Sequence, residues 1–140
     1  MSNLSSFVKR IRDVMRNDAG INGDAQRIEQ LAWMLFLKVY DAKEEDWEFE
    51  DSKYKSIIPE NLRWRNWAHA EKQNEGLTGD QLLNFVNNEL FQTLKKLEVT
   101  PDTPIRQSIV RTTFEDANNY MKDGVLLRQI ISIMSHFVSP

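Results

Sequence analysis

Side chains that could act as acids, bases or metal ligands are sparse in this 140-residue chain. Cysteine is absent, and His69 and His136 are too far apart for the H-E-x-x-H spacing of a zinc site. Neither a G-x-G nor a G-x-x-x-x-G-K-[ST] pattern occurs, so the sequence contains no recognisable cradle for a nucleotide cofactor. We therefore expect no catalytic residue, no cofactor-binding residue and no metal ligand in this chain.

Acidic residues are concentrated between residues 44 and 51, where only Trp47 and Phe49 interrupt them. Paired carboxylates can supply a general acid or bind a cation. Their spacing here differs from the D-x-[DN]-x-[DN]-G calcium loop, and a run of charges after a helix is typical of a solvated surface. We predict that these carboxylates lie in solvent at the end of the preceding helix.

Two groups of basic residues could contact the phosphates of DNA, one in the first predicted helix and one in the sequence RWRNW of residues 63–67. Cationic side chains neutralise phosphate, and aromatic rings stack on bases. The candidate DNA or partner contacts are Lys9, Arg12, Arg16, Arg63 and Arg65. The simpler interpretations are that the first group solvates an amphipathic helix and that Trp64 and Trp67 anchor a loop to the core.

The whole-chain properties are those of a globular protein. A net charge of -3 gives no overall attraction to nucleic acid, so any contact with DNA requires a local basic patch. The longest apolar run, residues 31–37, is too short to span a membrane, and the lack of cysteine suits a reducing compartment. The sequence therefore predicts a cytoplasmic protein that does not enter a membrane.

Helical periodicity dominates the pattern of apolar residues. Between residues 4 and 15 they recur at steps of three and four, which predicts a first helix that ends near Asp18. Residues 25–46 form the strongest helical segment, with Asp24 as its expected cap, and the middle of this segment is apolar on nearly every face. A helix of this kind is normally surrounded by other helices, so we expect it to be the buried centre of the fold.

The second half of the chain is also predicted to be helical. Residues 52–76 predict a loop with a short helix, and the capping-box sequence TGDQ at 78–81 predicts a third long helix that ends before Pro101. Residues 105–120 suggest shorter helical pieces, with a short strand left open near 105–113, and Asp123 is placed to cap the last helix. The predicted fold is all-α, an irregular helical bundle around a long buried central helix.

The order of these segments resembles the amino-terminal helical domain of the methylation (M) subunit of type I restriction-modification enzymes. The sequence QRIEQLAWMLFLKVYD at residues 26–41 is similar to the long helix of that domain, with its LLFLK core. Residues 62–67, preceded by Pro59, resemble a short segment around a tryptophan, and residues 125–137 resemble the closing helix. The resemblance covers the whole chain and is carried mainly by packing residues.

The resemblance implies a single helical domain, residues 1–140, as the front part of a longer DNA adenine methyltransferase. In such enzymes a following domain uses S-adenosylmethionine to methylate the exocyclic amino group of adenine. Two M subunits join a specificity (S) subunit, and restriction subunits complete the cleaving enzyme on double-stranded DNA. The resemblance assigns the helical domain to subunit assembly and DNA clamping.

The sequence departs from a complete methyltransferase in one decisive respect. The adenine-methylating motif [DNS]-P-P-[FYW] needs adjacent prolines, whereas the prolines here are Pro59, Pro101, Pro104 and Pro140. Methyl transfer is therefore not expected of this chain itself. A strongly apolar helix that stops near residue 140 also favours a piece of a longer protein. The alternatives are a free-standing helical protein-protein interaction module and, less favoured, an enzyme with a novel site.

Overall fold

The computed structural model describes residues 2–68 and 77–137, and the regular structure in both ranges is helical. The helices are α1 (Ser2–Met15), α2 (Gly23–Glu50), α3 (Trp64–Trp67), α4 (Gly79–Asn84), α5 (Phe91–Lys95), α6 (Ile105–Glu115) and α7 (Gly124–His136). A 3-10 turn at Glu60–Leu62 precedes α3. Because these ranges contain no strand, the all-α prediction is confirmed, and the strand left open near 105–113 is wrong, since α6 occupies that stretch. No helix in the described ranges could cross a membrane.

Helix α2 is the longest element, and only one of its faces is buried. Trp33, Met34 and Leu37 are fully enclosed, and the Trp33 ring packs edge-on against Phe91 at a centroid distance of 4.9 Å. On the opposite side, apolar residues that include Val39 remain in solvent. The prediction of a long helix surrounded by other helices on every side is therefore wrong for this chain.

Helices α4 and α5 form one continuous rod through a π-helical segment, Phe85–Leu90. Four of the buried residues of this rod, Leu82, Val86, Leu90 and Leu94, recur every four positions, and Phe85 and Phe91 are buried beside them. On a regular helix of 100° per residue, a strict repeat of four drifts by about 40° at each step. The wider π turn opposes this drift, because it holds more residues per turn and so keeps the four side chains facing the core.

The start of α7 lies directly against the start of α4. A Cβ atom placed on Gly124 would come within 1.9 Å of the carbonyl oxygen of Gly79, so only glycine allows this backbone contact. Along its length α7 packs on both α4 and α1, and the rings of Phe7 and Phe137 lie 4.1 Å apart. Helix α7 therefore joins the two ends of the chain into one core.

Only one of the helix caps predicted from the sequence is present in the structure. Asp123 accepts hydrogen bonds from the backbone N–H groups of Val125 and Leu126, which confirms the predicted cap of α7. Thr78 does precede α4, but its side chain makes no capping hydrogen bond, because Gly79 at φ +58° departs from the helical backbone that a capping box needs. The prediction that Asp24 caps α2 is wrong, because Asp24 lies inside the first turn of that helix.

Two buried polar side chains tie the loop before α7 to the amino-terminal half. The carboxylate of Asp18 accepts backbone N–H groups from Lys122 and Asp123. The side chain of Gln30, which is fully buried in α2, accepts the N–H of Tyr120 at 2.7 Å. Helix α1 ends at Met15, three residues before the predicted end near Asp18. Asp18 lies beyond the helix, where its carboxylate accepts the hydrogen bonds from Lys122 and Asp123.

Candidate nucleic-acid and partner interface

Lys9 and Arg12 lie on the solvent side of helix α1, and Arg16 directly follows the helix; Arg10 of α1 is exposed as well. The Nζ atom of Lys9 lies 3.1 Å from Asp13, the side chain of Lys9 is 71% exposed, and Arg16 is 3.9 Å from the same carboxylate and 62% exposed. Ion pairs this exposed contribute little, so they leave both cations available to another anion. Arg12 is exposed as well, and no ion pair to it occurs in the described part of the chain.

Arg12 lies at the edge of a cleft between α1 and the first turns of α2. The cleft has a volume of about 310 Å³, and its apolar lining includes Val8, Ile28 and Leu31. On the α2 side Arg27 pairs with Asp24, which leaves that guanidinium less available than Arg12. The basic stripe of Lys9, Arg12 and Arg16 therefore borders an apolar opening at Arg12.

The second basic group occupies a different environment. Arg63 is buried, and its Nη2 atom lies 2.5 Å from Glu48 and 3.2 Å from Glu44, while its Nη1 atom lies 3.3 Å from Glu60. Burial acts to lower the pKa of Arg63, but hydrogen bonding to Glu48 and the charges of Glu44 and Glu48 outweigh it and raise the pKa above its ordinary value. This guanidinium is fully charged and already surrounded by carboxylates.

Arg65 extends the same network along α2. Its Nε atom donates to Asp41 at 2.8 Å, and its Nη1 atom donates to Glu48 at 3.1 Å. The hydrogen bond from Arg63 lowers the pKa of Glu48 below its ordinary value of 4.5, and the hydrogen bond from Arg65 acts in the same direction. DNA contacts by Arg63 and Arg65 remain a prediction. In this structure both guanidiniums donate to acceptors on α2, and Arg63 also donates to Glu60.

The acidic run of residues 44–51 is divided between core and solvent. Glu44 is fully buried, and it accepts a hydrogen bond from the hydroxyl of Tyr54 at 2.7 Å. Burial and this hydrogen bond raise the pKa of Tyr54 above its ordinary value of 10.0. The prediction that the whole run is solvated is therefore wrong for Glu44, whereas it is confirmed for Glu45 and Asp46, and α2 continues to Glu50 instead of ending near Asp46.

The two basic groups do not meet in the described residues, where no hydrogen bond or ion pair joins them. Trp64 and Trp67 are buried, which confirms their prediction as anchors of the loop. The Nδ1 atom of His136 lies 2.7 Å from the carbonyl oxygen of Ser132, and His69 falls outside the described residues. Residues 2–68 and 77–137 contain no cluster of His, Asp and Glu arranged to hold a metal ion.

Arg128 is a structural residue that the sequence pattern did not reveal. Its guanidinium donates to the backbone carbonyls of Trp67, Ala68 and Leu77 at distances of 2.7 to 3.1 Å. These acceptors are backbone atoms that lie 51 to 61 residues away in the chain, so no side-chain motif signals them. The contact fixes the end of α3 and the approach to α4 on α7.

The fold and the charged surfaces together define an all-α helical domain that presents one basic helix face and one apolar helix face. Residues 4–134 match the family model of the HsdM N-terminal domain, and this chain belongs to that family. It is the N-terminal domain of a type I restriction-modification methylase subunit.

Two relatives are similar over nearly the whole chain. The type I restriction enzyme EcoEI methylase subunit of Escherichia coli is 50% identical over 129 residues, which are 92% of this chain and 26% of that protein. The crystal structure of a modification subunit assigned to a type I restriction enzyme of Vibrio vulnificus superposes with a TM-score of 0.88 at 32% identity, over 99% of this chain and 31% of that one. The chain therefore spans about a quarter to a third of these relatives.

Proposed function

We propose that this domain serves subunit assembly and DNA clamping in a type I restriction-modification methyltransferase and takes no part in methyl transfer. The observation that carries this proposal is the exposed basic stripe of Lys9, Arg12 and Arg16 on a domain of the methylase-subunit family. Phosphate contacts of this kind position a protein on DNA without reading sequence. Sequence choice then belongs to another subunit.

The two basic groups take different roles in this proposal. The cations of α1 reach solvent on flexible side chains, which suits contact with double-stranded DNA. Arg63 and Arg65 instead stabilise the domain, because moving either guanidinium to a phosphate would leave Glu44 or Asp41 without its counter-charge. DNA clamping by this domain thus rests on α1.

The cofactor is assigned to a part of the subunit outside this chain. Among the described glycines, Gly20 and Gly124 are packed against the backbone oxygens of Tyr120 and Gly79, and Gly23 and Gly79 stand singly at the starts of α2 and α4, so none belongs to a glycine-rich loop. These residues do not fit S-adenosylmethionine. The relative from Escherichia coli is a methylase subunit, which makes S-adenosylmethionine the expected cofactor of the full-length protein.

The partners proposed for the assembled enzyme are a specificity subunit, a second M subunit, restriction subunits and double-stranded DNA. Removing residues 1–140 from the full-length subunit tests the assembly role. We expect the truncated subunit to lose co-elution with the specificity subunit or with the second M subunit, although it still binds S-adenosylmethionine. Unchanged assembly with unchanged DNA affinity would refute the proposal and favour an independent interaction module.

A further inference from the structure

The loop between α1 and α2 ends in an exposed Asn-Gly pair. Asn22 directly precedes α2, Gly23 is the first residue of that helix, and both are exposed. Among the asparagines of the whole sequence, Asn22 alone is followed by glycine. The amide carbon of an asparagine can be attacked by the backbone nitrogen of the next residue, and a glycine there carries no Cβ to obstruct the approach. The pair thus brings together the two groups of a known covalent reaction.

Both reacting groups of the pair lack competing hydrogen bonds. The side chain of Asn22 makes no capping hydrogen bond and has no other partner in the described part of the chain. The N–H of Gly23 donates to no residue of the described ranges, because the first N–H groups of a helix have no acceptor within it. A Cβ atom placed on Gly23 would meet nothing within 4 Å, so the space around the attacking residue is open.

Asn17, in the same loop, provides the contrast. Its side chain donates to the carbonyl oxygen of Asp13 at 3.3 Å. The next residue, Asp18, is buried, and its N–H donates to the carbonyl oxygen of Met15 at 3.0 Å. Asn17 is exposed, as Asn22 is, so exposure does not distinguish the two asparagines. The hydrogen bonds do, because they engage both reacting groups at Asn17 and neither at Asn22.

One hydrogen bond restrains Asn22 in its present conformation. Its backbone N–H donates to the Oε1 atom of Gln26, one turn into α2, at 2.7 Å. The backbone of Asn22 is extended, with φ -122° and ψ 108°. Closure of a five-membered ring between its side chain and Gly23 requires rotation about the Cα–C bond of Asn22. The hydrogen bond to Gln26 opposes this rotation, because it joins atoms on the two sides of that bond.

We propose that Asn22 deamidates in the folded chain through a succinimide and that the hydrogen bond to Gln26 slows the reaction. The N–H of Gly23 gives its proton to hydroxide, and the nitrogen forms a bond to Cγ of Asn22. The bond between Cγ and Nδ2 breaks, and Nδ2 takes a proton from water and leaves as ammonia. One water molecule then opens the ring. Cleavage of the new bond to Cγ gives aspartate, and cleavage of the original peptide bond gives isoaspartate, whose main chain runs through Cγ.

The two products should affect α2 differently. An aspartate in front of the helix offers a carboxylate to the N–H groups of the first turn, which stabilises a helix. An isoaspartate instead adds one methylene to the main chain between α2 and Ile21, which is buried in the core. The added length also displaces the N–H group that Gln26 accepts. We therefore expect the isoaspartate form to unfold at a lower urea concentration than the original chain, and the aspartate form not to do so.

Mass spectrometry of the 140-residue chain, incubated in mildly alkaline buffer, tests the site. Trypsin releases residues 17–27 as one peptide, so Asn17 is an internal control for Asn22. Aspartate and isoaspartate should accumulate at position 22 at a rate that rises with hydroxide concentration, while Asn17 keeps its amide. The proposal would be overturned by equal conversion of Asn17. It would also be overturned if the folded chain kept the amide at position 22 under conditions that convert a synthetic peptide of residues 17–27.

Substitutions at position 26 test the restraint. Gln26→Ala removes the acceptor and should speed the conversion about fivefold, the factor expected for the loss of one neutral hydrogen bond. Gln26→Glu keeps an acceptor and should react no faster than the original chain. Asn22→Gln should stay intact, because its longer side chain would have to close a six-membered ring. Circular dichroism checks that each variant is folded. An unchanged rate in Gln26→Ala would refute the restraint by Gln26.

Urea unfolding of the separated products tests the effect on α2. The isoaspartate form can be purified by chromatography, and Asn22→Asp supplies the aspartate form directly. The isoaspartate form should have the lower midpoint, whereas Asn22→Asp should match or exceed the original chain. Equal midpoints for the two forms would contradict the expected effect of the added methylene. None of these measurements involves DNA or another subunit, so their outcome is independent of the function proposed above.

Discussion

Arg63 and Glu44 form a buried ion pair, in which the Nη2 atom of the guanidinium lies 3.2 Å from a carboxylate that is 0% exposed. Glu44 belongs to α2, and Arg63 directly precedes α3. The pair therefore holds the irregular segment of the chain against the longest helix. A buried charge whose partner is removed stays desolvated without compensation, so this relationship should dominate the response of the domain to substitution.

Removal of the Arg63 guanidinium should destabilise the domain strongly. We expect Arg63→Ala to lower the free energy of unfolding by about 3 to 5 kcal/mol, because Glu44 would remain buried without its counter-charge. Urea denaturation followed by tryptophan fluorescence measures this loss. Lys53→Ala, at an exposed position, is the control and should fall within about 0.5 kcal/mol of the unsubstituted chain.

A double substitution that removes both charges distinguishes the effect of the unpaired charge from the effect of lost packing. Arg63→Met combined with Glu44→Leu removes both charges and keeps most of the volume, so it should recover much of the stability that Arg63→Ala loses. A loss below about 1 kcal/mol for Arg63→Ala would contradict a buried, uncompensated charge.

The free energy of unfolding should decrease at acid pH because Glu48 becomes protonated. The pKa of Glu48 is lowered in the folded protein, first by the hydrogen bond from Arg63, so its contribution is present above the ordinary value of 4.5. It is lost as the pH falls below 4.5 through the lowered folded pKa. In urea titrations at successive pH values, Glu48→Gln should show a shallower loss of stability below that pH than the unsubstituted chain.

The control for the acid response is Glu45→Gln, which changes an exposed carboxylate of the same helix. Its pH profile should run parallel to that of the unsubstituted chain. Identical profiles for Glu48→Gln and Glu45→Gln would mean that the network of Arg63 and Arg65 does not couple stability to protonation.

The caps of α7 and α4 should respond differently to the same change. Asp123→Ala should cost about 1 kcal/mol, because two backbone N–H groups lose their acceptor. Thr78→Ala should cost only a few tenths of a kcal/mol, because its side chain makes no capping hydrogen bond. Thermal unfolding of the two variants measures the difference. Equal losses would show that Thr78 does cap α4.

Interactions within a few residues could be predicted from the sequence. The cap at Asp123 lies two and three residues from its donors, and the apolar spacing of α1 and α7 places Ile11 and Ile130 in the core as expected. The same local pattern led to the cations of α1, whose exposure follows from their place on the polar face. Local chemistry was sufficient in each of these cases.

Interactions between distant segments could not be predicted. Glu48 meets Arg63 fifteen residues further along the chain, and nothing in the acidic run distinguishes Glu44, which is buried, from Glu45, which is exposed. Similarly, the apolar residues of α2 gave no sign of which face would be buried, because both faces follow a helical repeat. Only the packing of α3, α5, α6 and α7 against one side leaves the other side of α2, with Leu35 and Val39, in solvent.

The salt dependence of DNA binding tests the central proposal most directly. In the assembled methylase that carries this domain, the combined exchange Lys9→Ala, Arg12→Ala and Arg16→Ala should weaken binding to duplex DNA. It should also flatten the plot of log Kobs against log salt by up to about 2.7, since each phosphate contact contributes about 0.9. The matched exchange Lys53→Ala, Lys55→Ala and Lys96→Ala should change neither quantity. Equal affinities and slopes for the α1 variant and the unsubstituted enzyme would contradict DNA clamping through α1.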